Sequence, residues 1–231
     1  MKKKVPMLKT LVRSLVLPIL LCLGAVSLSA QSDEKKFEVG GQFSALRVPT
    51  TSITTAGAGF ATTESPDNNY GFGGRFGYQL SKYFTLEAEG NFFPRDRDVD
   101  GGRKVQGLFG VKAGKRFEKF GIFAKARPGF IRYERGDYVF GPGGCVTVFP
   151  PPLGCFRPVA RTNFALDLGG VVELYPSKRT IIRFDAGDTM VHLPTRNVAA
   201  FQTSGISPVV ISAAPETKHN FQGSVGFGFR F

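Results

Sequence analysis

Residues 221–231 read FQGSVGFGFRF, in which apolar residues alternate with polar residues and glycine. Apolar residues hold one row of the alternation, whereas Gln222, Ser224 and Arg230 stand on the other. A period of two indicates a β-strand with two unlike faces, because a helix would scatter both sets around its axis. The same alternation opens the chain's first strand at residues 37–45.

Six further segments alternate in the same way, near residues 70–80, 84–93, 104–116, 121–133, 161–175 and 180–190. The sequence therefore predicts about eight strands of roughly ten residues, the length that crosses a bilayer at a tilt. Three of the connections are tight turns, at residues 80–83, 117–120 and 176–179. The other four are long and polar or rich in proline, at residues 49–69, 94–103, 134–160 and 190–218. Short and long links alternate, so all turns gather at one end of an up-and-down barrel and all loops at the other.

Alternation alone does not show whether the polar rows face the lumen or the outside of the barrel. A soluble lipocalin-like barrel has the same period with its apolar side chains inside. Three features favour the membrane: glycines among the polar rows, a terminal row of aromatic residues, and aromatics where the apolar rows end. We predict an all-β protein, a monomeric transmembrane up-and-down antiparallel β-barrel of about eight strands, with its polar rows facing the lumen.

The polar rows carry both signs of charge. On this registration the lumen charge network comprises Glu38, Arg75, Glu87, Glu89, Lys112, Lys125, Arg127, Asp167, Glu173, Arg183 and Asp185, with Arg116 and Arg230 beside it. The acids nearly balance the bases. Since about eight strands leave an interior that side chains can fill, we expect a salt-bridged lumen in preference to an aqueous pore.

The N-terminus has the pattern of a cleaved secretory signal peptide, residues 1–30, before a barrel domain at residues 31–231. Three lysines at residues 2–4 precede an apolar run, residues 15–23, which is too short to span a membrane. Cleavage would remove five of the 30 basic residues and leave 25 against 18 acidic ones, a net charge of +7. The remaining bases are dispersed, which argues against a nucleic-acid partner.

Export also places the cysteines in an oxidising compartment, where Cys145 and Cys155 are expected to form a disulfide. A metal site at these cysteines would need about four ligands, and no histidine or third cysteine lies nearby. Residues 96–101 copy the start of a calcium-binding loop, but Gly107 stands where the bidentate Glu belongs, so we favour an acidic hairpin tip. No metal and no cofactor is predicted.

Catalytic residues are sparse. The two histidines, His192 and His219, lie near the loop ends of their strands, where Ser224 and Asp188 are the candidate partners. A histidine at a barrel rim is usually solvated, so no enzyme is predicted. Residues 206–214, ISPVVISAA, are too apolar for an ordinary exposed loop. They either prolong the last two strands, which we prefer, or form a contact surface for a partner.

The chain resembles the small outer-membrane β-barrel family typified by the OmpA membrane domain and OmpX. The resemblance is carried by FQGSVGFGFRF and by two hairpins, FGYQLSKYFTLEAEGNFF and FALDLGGVVELYPSKRTIIRFDAGD. It implies that the barrel lies in the outer membrane of a Gram-negative bacterium, where lipid and lipopolysaccharide surround it. It also implies that Phe227, Phe229 and Phe231 form the signal read by the barrel-assembly machinery. No peptidoglycan-binding domain follows the barrel in this sequence, so the tethering role of OmpA is not carried over.

Family resemblance fixes a fold and not an activity. We expect a non-enzymatic structural or surface-interaction protein whose long extracellular loops meet an extracellular partner. The alternative is a narrow, porin-like solute or ion channel, and a lipid-modifying enzyme comes third.

Deletion of Phe231 should impair assembly far more than replacement of Thr55, because only the former lies in the terminal aromatic row. The measurement is the fraction of barrel that migrates faster unheated than boiled on a detergent gel. Equal losses in the two variants would contradict the assembly-signal assignment.

Overall fold

The computed structural model describes residues 35–56, 59–95, 101–148, 154–202 and 208–231, with backbone alone at 50–56, 59–65, 140–148, 154–156, 199–202, 208–209 and 211. Its strands are β1 (Phe37–Ala56), β2 (Gly59–Gln79), β3 (Phe84–Phe93), β4 (Lys104–Arg116), β5 (Phe120–Val148), β6 (Gly154–Leu174), β7 (Thr180–Leu193), β8 (Arg196–Gln202), β9 (Pro208–Ala213) and β10 (Glu216–Arg230). Residues 36–230 form one compact unit. No helix in the described ranges is long and apolar enough to cross a membrane.

Strands β1 to β7 and β10 close into an antiparallel barrel. Neighbours in the sheet are neighbours in the chain from β1 to β7, and β10 pairs with both β7 and β1. The closing seam runs from Glu38, opposite Arg230, to Arg47, opposite Phe221. The predicted up-and-down topology is confirmed, and closure removes the exposed edges that an open sheet would carry.

The three predicted tight turns stand at one end of the barrel, called here the turn end. Phe117 donates its backbone N–H to the carbonyl of Phe120 at 2.7 Å. In the other two turns a serine hydroxyl accepts backbone N–H groups, Ser81 from Phe84 at 3.2 Å and Ser177 from Thr180 at 3.1 Å. Serine is favoured in such turns because its hydroxyl satisfies amides that the ladder leaves unpaired.

The two rows of each barrel strand face different surroundings. Phe72 and Phe221 on the outward rows are each 60% exposed, whereas Arg127 on an inward row is 1% exposed. Large apolar side chains line the outside all around the barrel, and this surface suits hydrocarbon. The predicted orientation is therefore the observed one.

The first and third long links are strands and not loops. β1 and β2 pair without interruption from the barrel wall up to Ala56 and Gly59, where a polar loop was expected. β5 and β6 likewise pair beyond the barrel, with register shifts between Tyr133 and Asp137 and between Phe140 and Cys145. A loop was predicted at residues 50–63 because their hydropathy is low. These residues are rich in threonine, and its β-branched side chain favours strands in water as well as in apolar surroundings.

The fourth link contains a separate hairpin, β8 with β9. The preferred expectation, that residues 206–214 prolong the last two strands, is wrong. Pro194 and Pro215 stand at the two junctions, and proline cannot donate to a ladder. β8 instead runs parallel to the end of β1 at Thr54, and β9 runs parallel to the end of β5 at Thr147. The loop end thus carries an additional sheet in the order β2-β1-β8-β9-β5-β6.

Inward-facing glycines permit the strands to coil closely. A β-carbon at Gly169 would collide with the carbonyl oxygen of Ala186 and lie 2.6 Å from the α-carbon of Gly187, both on the adjacent strand. At Gly169 it is the neighbouring backbone, and not a charged side chain from the opposite wall, that leaves no room for a side chain.

Gly169→Ala should destabilise the barrel, because its methyl group meets backbone that cannot move without breaking the β6–β7 ladder. Gly170→Ala is the matched control, since Gly170 faces outward and its β-carbon would meet nothing closer than the carbonyl oxygen of Phe123 at 3.9 Å. The unfolding midpoint in urea should fall for Gly169→Ala and hold or rise for Gly170→Ala. Equal midpoints would refute the close-approach explanation.

Candidate functional site in the barrel lumen

The half of the lumen nearer the turn end is filled by ion pairs. Arg183 donates through both terminal nitrogens to Glu87 on the opposite part of the wall, and through Nε to Asp185 at 2.5 Å. Lys112 approaches three carboxylates, Glu173 at 2.5 Å and both Glu38 and Glu87 at 3.2 Å. Each cation thus ties together strands that are not neighbours in the sheet.

A second set of pairs lies beside the first. Arg127 donates to Asp167 from Nε at 2.8 Å and from Nη2 at 2.6 Å, and to Glu89 from Nη1 at 2.5 Å. Lys125 bridges Asp167 and Asp185, at 3.0 Å from each. Since Asp185 also pairs with Arg183, the two sets form one continuous network.

Ten of the eleven residues predicted for the lumen are joined in this network. They are Glu38, Glu87, Glu89, Lys112, Lys125, Arg127, Asp167, Glu173, Arg183 and Asp185. Arg75 faces the same space but is not among them. At the turn end Arg116 and Arg230 both pair with Glu38, at 2.6 and 3.3 Å.

A belt of neutral amides lies above the ions, toward the loop end. Gln42 donates to Asn91 at 2.8 Å, and Asn91 donates to Gln106 at 2.8 Å. Gln106 in turn donates to Gln222 across the lumen at 2.9 Å. Asn91 also donates to Glu89 at 2.7 Å, so the belt is bonded to the ion network beneath it. These hydrogen bonds between buried side chains favour one arrangement of the interior.

An apolar cluster that was not predicted from the sequence closes the loop end of the lumen. Its members are Leu46, Val48, Phe93, Leu108, Ile131, Tyr133, Ala165, Val191 and Leu193, all buried. The sequence does contain a signal for this cluster, because the apolar residues of β1 change from one row of the alternation to the other. In β1, apolar residues hold the outward row up to Ala45 and then appear on the inward row at Leu46 and Val48. The outward row carries the exposed Arg47 at this level, so the apolar residues have moved from the outward to the inward row.

Polar contacts anchor the β8–β9 hairpin beyond the apolar cluster. Asp137 accepts hydrogen bonds from Arg161 at 2.6 Å and from the backbone N–H of Asn197 at 2.9 Å. The Asn197 side chain donates to the carbonyl of Tyr138 at 2.9 Å. Burial raises the pKa of the Tyr138 phenol. The hairpin is thus bonded to the extension of β5 by side chains as well as by its parallel ladder.

An exposed ion pair occupies the same end of the barrel on the outer surface. Arg103 donates to Glu134 from Nε at 2.7 Å and from Nη2 at 2.5 Å. This bidentate bonding lowers the pKa of the Glu134 carboxyl. Because both side chains are exposed, the pair contributes little to stability.

The candidate catalytic set is assembled only in part. His219 Nδ1 lies 2.6 Å from Asp188 on the outward face, whereas Ser224 stands on the inward row of the same strand. His192 contacts Thr217 Oγ1 at 3.3 Å. The sheet therefore separates the proposed hydroxyl from the proposed base.

Three other predictions concern residues that the structure describes incompletely. Cys145 lies directly opposite Cys155 in the β5–β6 ladder, but the side chains of both lie outside the described residues, so the disulfide stays a prediction. The acidic tip at residues 96–100 and the signal peptide at residues 1–30 lie outside them as well.

The terminal aromatic row faces outward. Phe227 and Phe229 are half-exposed, and their rings meet edge to face with centroids 5.1 Å apart. Phe231 follows the end of β10 and is 45% exposed. Phe227 and Phe229 are accessible from the membrane side, and a role in assembly stays a prediction for all three residues.

A family model described as "Outer membrane protein beta-barrel domain" matches residues 19–231. The chain belongs to this family. Membership assigns the barrel to the outer membrane of the Gram-negative type. The match begins within the predicted signal peptide. A sequence comparison with curated proteins finds no match.

Solved structures of similar shape include other outer-membrane barrels. Neisserial surface protein A is 13% identical, with 84% of this chain and 97% of that chain covered and a TM-score of 0.44. The attachment invasion locus protein Ail of Yersinia pestis is 11% identical, with 86% and 99% covered and a TM-score of 0.43. The outer membrane protease OmpT of Escherichia coli is 8% identical, with 86% and 98% covered and a TM-score of 0.42. At these identities and scores the likenesses carry no argument about activity.

In this outer-membrane barrel, Arg183→Met should lower the free energy of unfolding by about 3–5 kcal/mol, because it leaves Glu87 and Asp185 buried without their guanidinium. Equilibrium unfolding in urea with lipid vesicles measures it. Arg132→Met on the exposed outward row is the control and should cost less than about 1 kcal/mol.

The double variant Glu87→Met/Arg183→Met should recover part of the loss, since an apolar pair leaves fewer uncompensated charges. Additive losses would contradict the coupling of the two side chains.

Proposed function

We propose that this outer-membrane barrel is a non-enzymatic structural and surface-interaction protein. In this proposal the barrel is an inert anchor, and the sheet at its loop end meets an extracellular partner. The observation that carries the proposal is the filling of the lumen: ion pairs, an amide belt and an apolar cluster succeed one another from the turn end to the loop end.

A filled lumen opposes conduction. An ion that crossed it would have to separate Arg183 from Glu87, pass the hydrogen bond between Gln106 and Gln222, and enter an apolar layer that includes Phe93 and Ile131. Each step exposes a charge to surroundings poorer in polar partners than the last. These costs favour an anchor over the porin-like alternative.

The extended hairpins favour a role outside the cell. Strand pairing continues far beyond the apolar outward band, to Ala56 in β1 and to Val148 in β5, and the β8–β9 hairpin joins the two extensions. An ordered projecting sheet presents a defined surface, and binding residues commonly lie on such projections from a rigid scaffold.

Several further assignments belong to this proposal. A signal peptide at residues 1–30 directs export, and the barrel-assembly machinery reads the row Phe227, Phe229 and Phe231. The outward face contacts lipid and lipopolysaccharide. A disulfide between Cys145 and Cys155 would close the tip of the β5–β6 hairpin, where the backbone register sets the two residues opposite each other. The barrel acts as a monomer.

Purified barrel in planar lipid bilayers should give no steady single-channel openings, because its lumen is filled. Steady openings that Arg127→Ala or Glu87→Ala abolishes would overturn the anchor proposal in favour of the channel. A control barrel of known conductance in the same membranes verifies that insertion occurs.

Replacement of residues 196–213 by a short Gly-Ser link should leave the barrel folded and reduce adhesion of cells that display it. The measurement is cell adhesion to immobilised matrix proteins, with folding monitored by heat-dependent mobility on a detergent gel. Unchanged adhesion in a folded variant would contradict the role proposed for this hairpin.

Mass spectrometry of lipid A tests the enzyme alternative. A modification of lipid A in cells that express the wild type, lost in cells that express His219→Ala, would establish an enzyme and contradict the proposal.

A further inference from the structure

An open depression lies on the outward face of the barrel, at the closing seam between β1 and β10. Its volume is about 490 Å³, and its lining includes Gly41, Phe43, Ile182, Val225 and Phe227. The floor is open at Gly41, since a β-carbon there would meet nothing closer than the carbonyl oxygen of Gly73 at 3.8 Å. Because the depression lies within the outward apolar rows, a hydrocarbon occupant fits it.

The aromatic rings beside the depression turn away from it. Phe43 stacks on Tyr70 of β2, with ring centroids 6.0 Å apart. Phe227 meets Phe229 edge to face on the side of the turn end, with centroids 5.1 Å apart. Since each ring packs against another ring, neither covers the seam between them.

The depression continues toward the loop end over two small residues. Ala45 lies opposite Gly223 across the seam, and both belong to outward rows. A β-carbon at Gly223 would meet nothing closer than the carbonyl oxygen of Asp185, at 3.8 Å. The depression and this strip together are called here the seam groove. The next outward pair toward the loop end is Arg47 and Phe221.

Arg47 is an exposed cation that pairs with no carboxylate among the described residues. Its neighbour across the seam, Phe221, is 60% exposed. One strand further, Asp188 lies opposite Phe221, but it pairs with His219 at 2.6 Å. A guanidinium in this position is free to bind phosphate, to which its planar fork donates two parallel hydrogen bonds.

The distance from Arg47 to Gly41 matches the depth of one leaflet. The six residue steps between them cover about 20 Å along an extended strand. At the tilt of a transmembrane barrel strand this length corresponds to about 14 Å of depth. The hydrocarbon core of a bilayer is about 30 Å thick, so half of it is spanned. A lipid with its phosphate at Arg47 would therefore carry an acyl chain down to Gly41.

We propose that the seam groove binds the lipid A part of one lipopolysaccharide molecule. A phosphate of lipid A accepts hydrogen bonds from the Arg47 guanidinium, and one acyl chain lies over Ala45 and Gly223 and ends in the depression at Gly41. This inference rests on the proposed function, in which the loop end lies outside the cell and the outward face contacts lipopolysaccharide. It adds a defined site to that general contact.

Diphosphoryl lipid A and the same lipid A without its phosphates are the probes for the phosphate. The thermal unfolding midpoint of the detergent-solubilised full barrel should rise with the logarithm of the diphosphoryl lipid A concentration above its dissociation constant, and less with the dephosphorylated form. Arg47→Gln should weaken binding of the diphosphoryl form by roughly tenfold, because charge-assisted hydrogen bonds are lost, and leave the other form unchanged. Arg132→Gln, which removes another exposed outward arginine, is the matched control and should bind like the wild type.

Gly223→Phe tests the path of the acyl chain. A ring at this position would fill the strip between Arg47 and the depression, so binding of both forms of lipid A should weaken. Gly90→Phe on β3 is the control, since Gly90 also faces outward and its β-carbon would meet nothing closer than the carbonyl oxygen of Gln106 at 4.0 Å. It should bind like the wild type.

Native mass spectrometry of the wild type with diphosphoryl lipid A should show one tightly bound molecule per barrel. Equal midpoints with the two forms of lipid A, or unchanged binding in both Arg47→Gln and Gly223→Phe, would overturn the site. An equal rise with phosphatidylglycerol would overturn the choice of lipid A. A lipid-free dimer that Gly223→Phe dissociates would give the groove to a second copy of the chain and overturn the proposal. Adhesion after replacement of the β8–β9 hairpin tests the surface role separately, so failure of one proposal is distinguishable from failure of the other.

Discussion

The structure depends on the pairing of guanidinium and ammonium groups with carboxylates inside the barrel. Neither sign of charge can face hydrocarbon without a large penalty, so the ionic rows must turn inward and the phenylalanine rows outward. Arg183 with Glu87 and Arg127 with Glu89 then connect strands that are not neighbours in the sheet. Pairing is required because either partner left alone would be an uncompensated buried charge.

The side chains that fill the lumen change along the barrel axis from ionic to amide to apolar, and this change relates the fold to the proposed function. Ions fill the turn end, amides such as Gln106 and Gln222 follow, and an apolar cluster around Phe93 and Ile131 closes the loop end. The ions lie in the part of the barrel whose outward rows are apolar, such as at Phe76 and Phe227. The apolar cluster supports the projecting sheet as a soluble protein's core supports its surface. The ion network therefore makes the membrane-spanning part a rigid anchor, and the apolar cluster supports an ordered sheet at the loop end.

The sequence predicted the barrel wall well because each spanning strand meets lipid on one side only, and this contrast forces a period of two. Glu87, Lys112 and Asp167 were placed on the inward row by that period alone. The partners of each charge were not predictable, since they depend on the stagger between strands. The inward position of Leu46 was not predicted, because the outward row need not be apolar beyond the lipid. The β8–β9 hairpin was not predicted either, because its pairing with β1 and β5 is non-local.

Nuclear Overhauser contacts between lipid acyl chains and side chains, recorded for the barrel in bilayers, show which row of each strand faces the membrane. The ion-paired lumen requires contacts from lipid methylene protons to the rings of Phe43 and Phe227, and none to the guanidinium protons of Arg127 or Arg183. Acyl-chain contacts to Arg127, with Phe227 shielded, would contradict the account, because the ionic rows would then face the membrane.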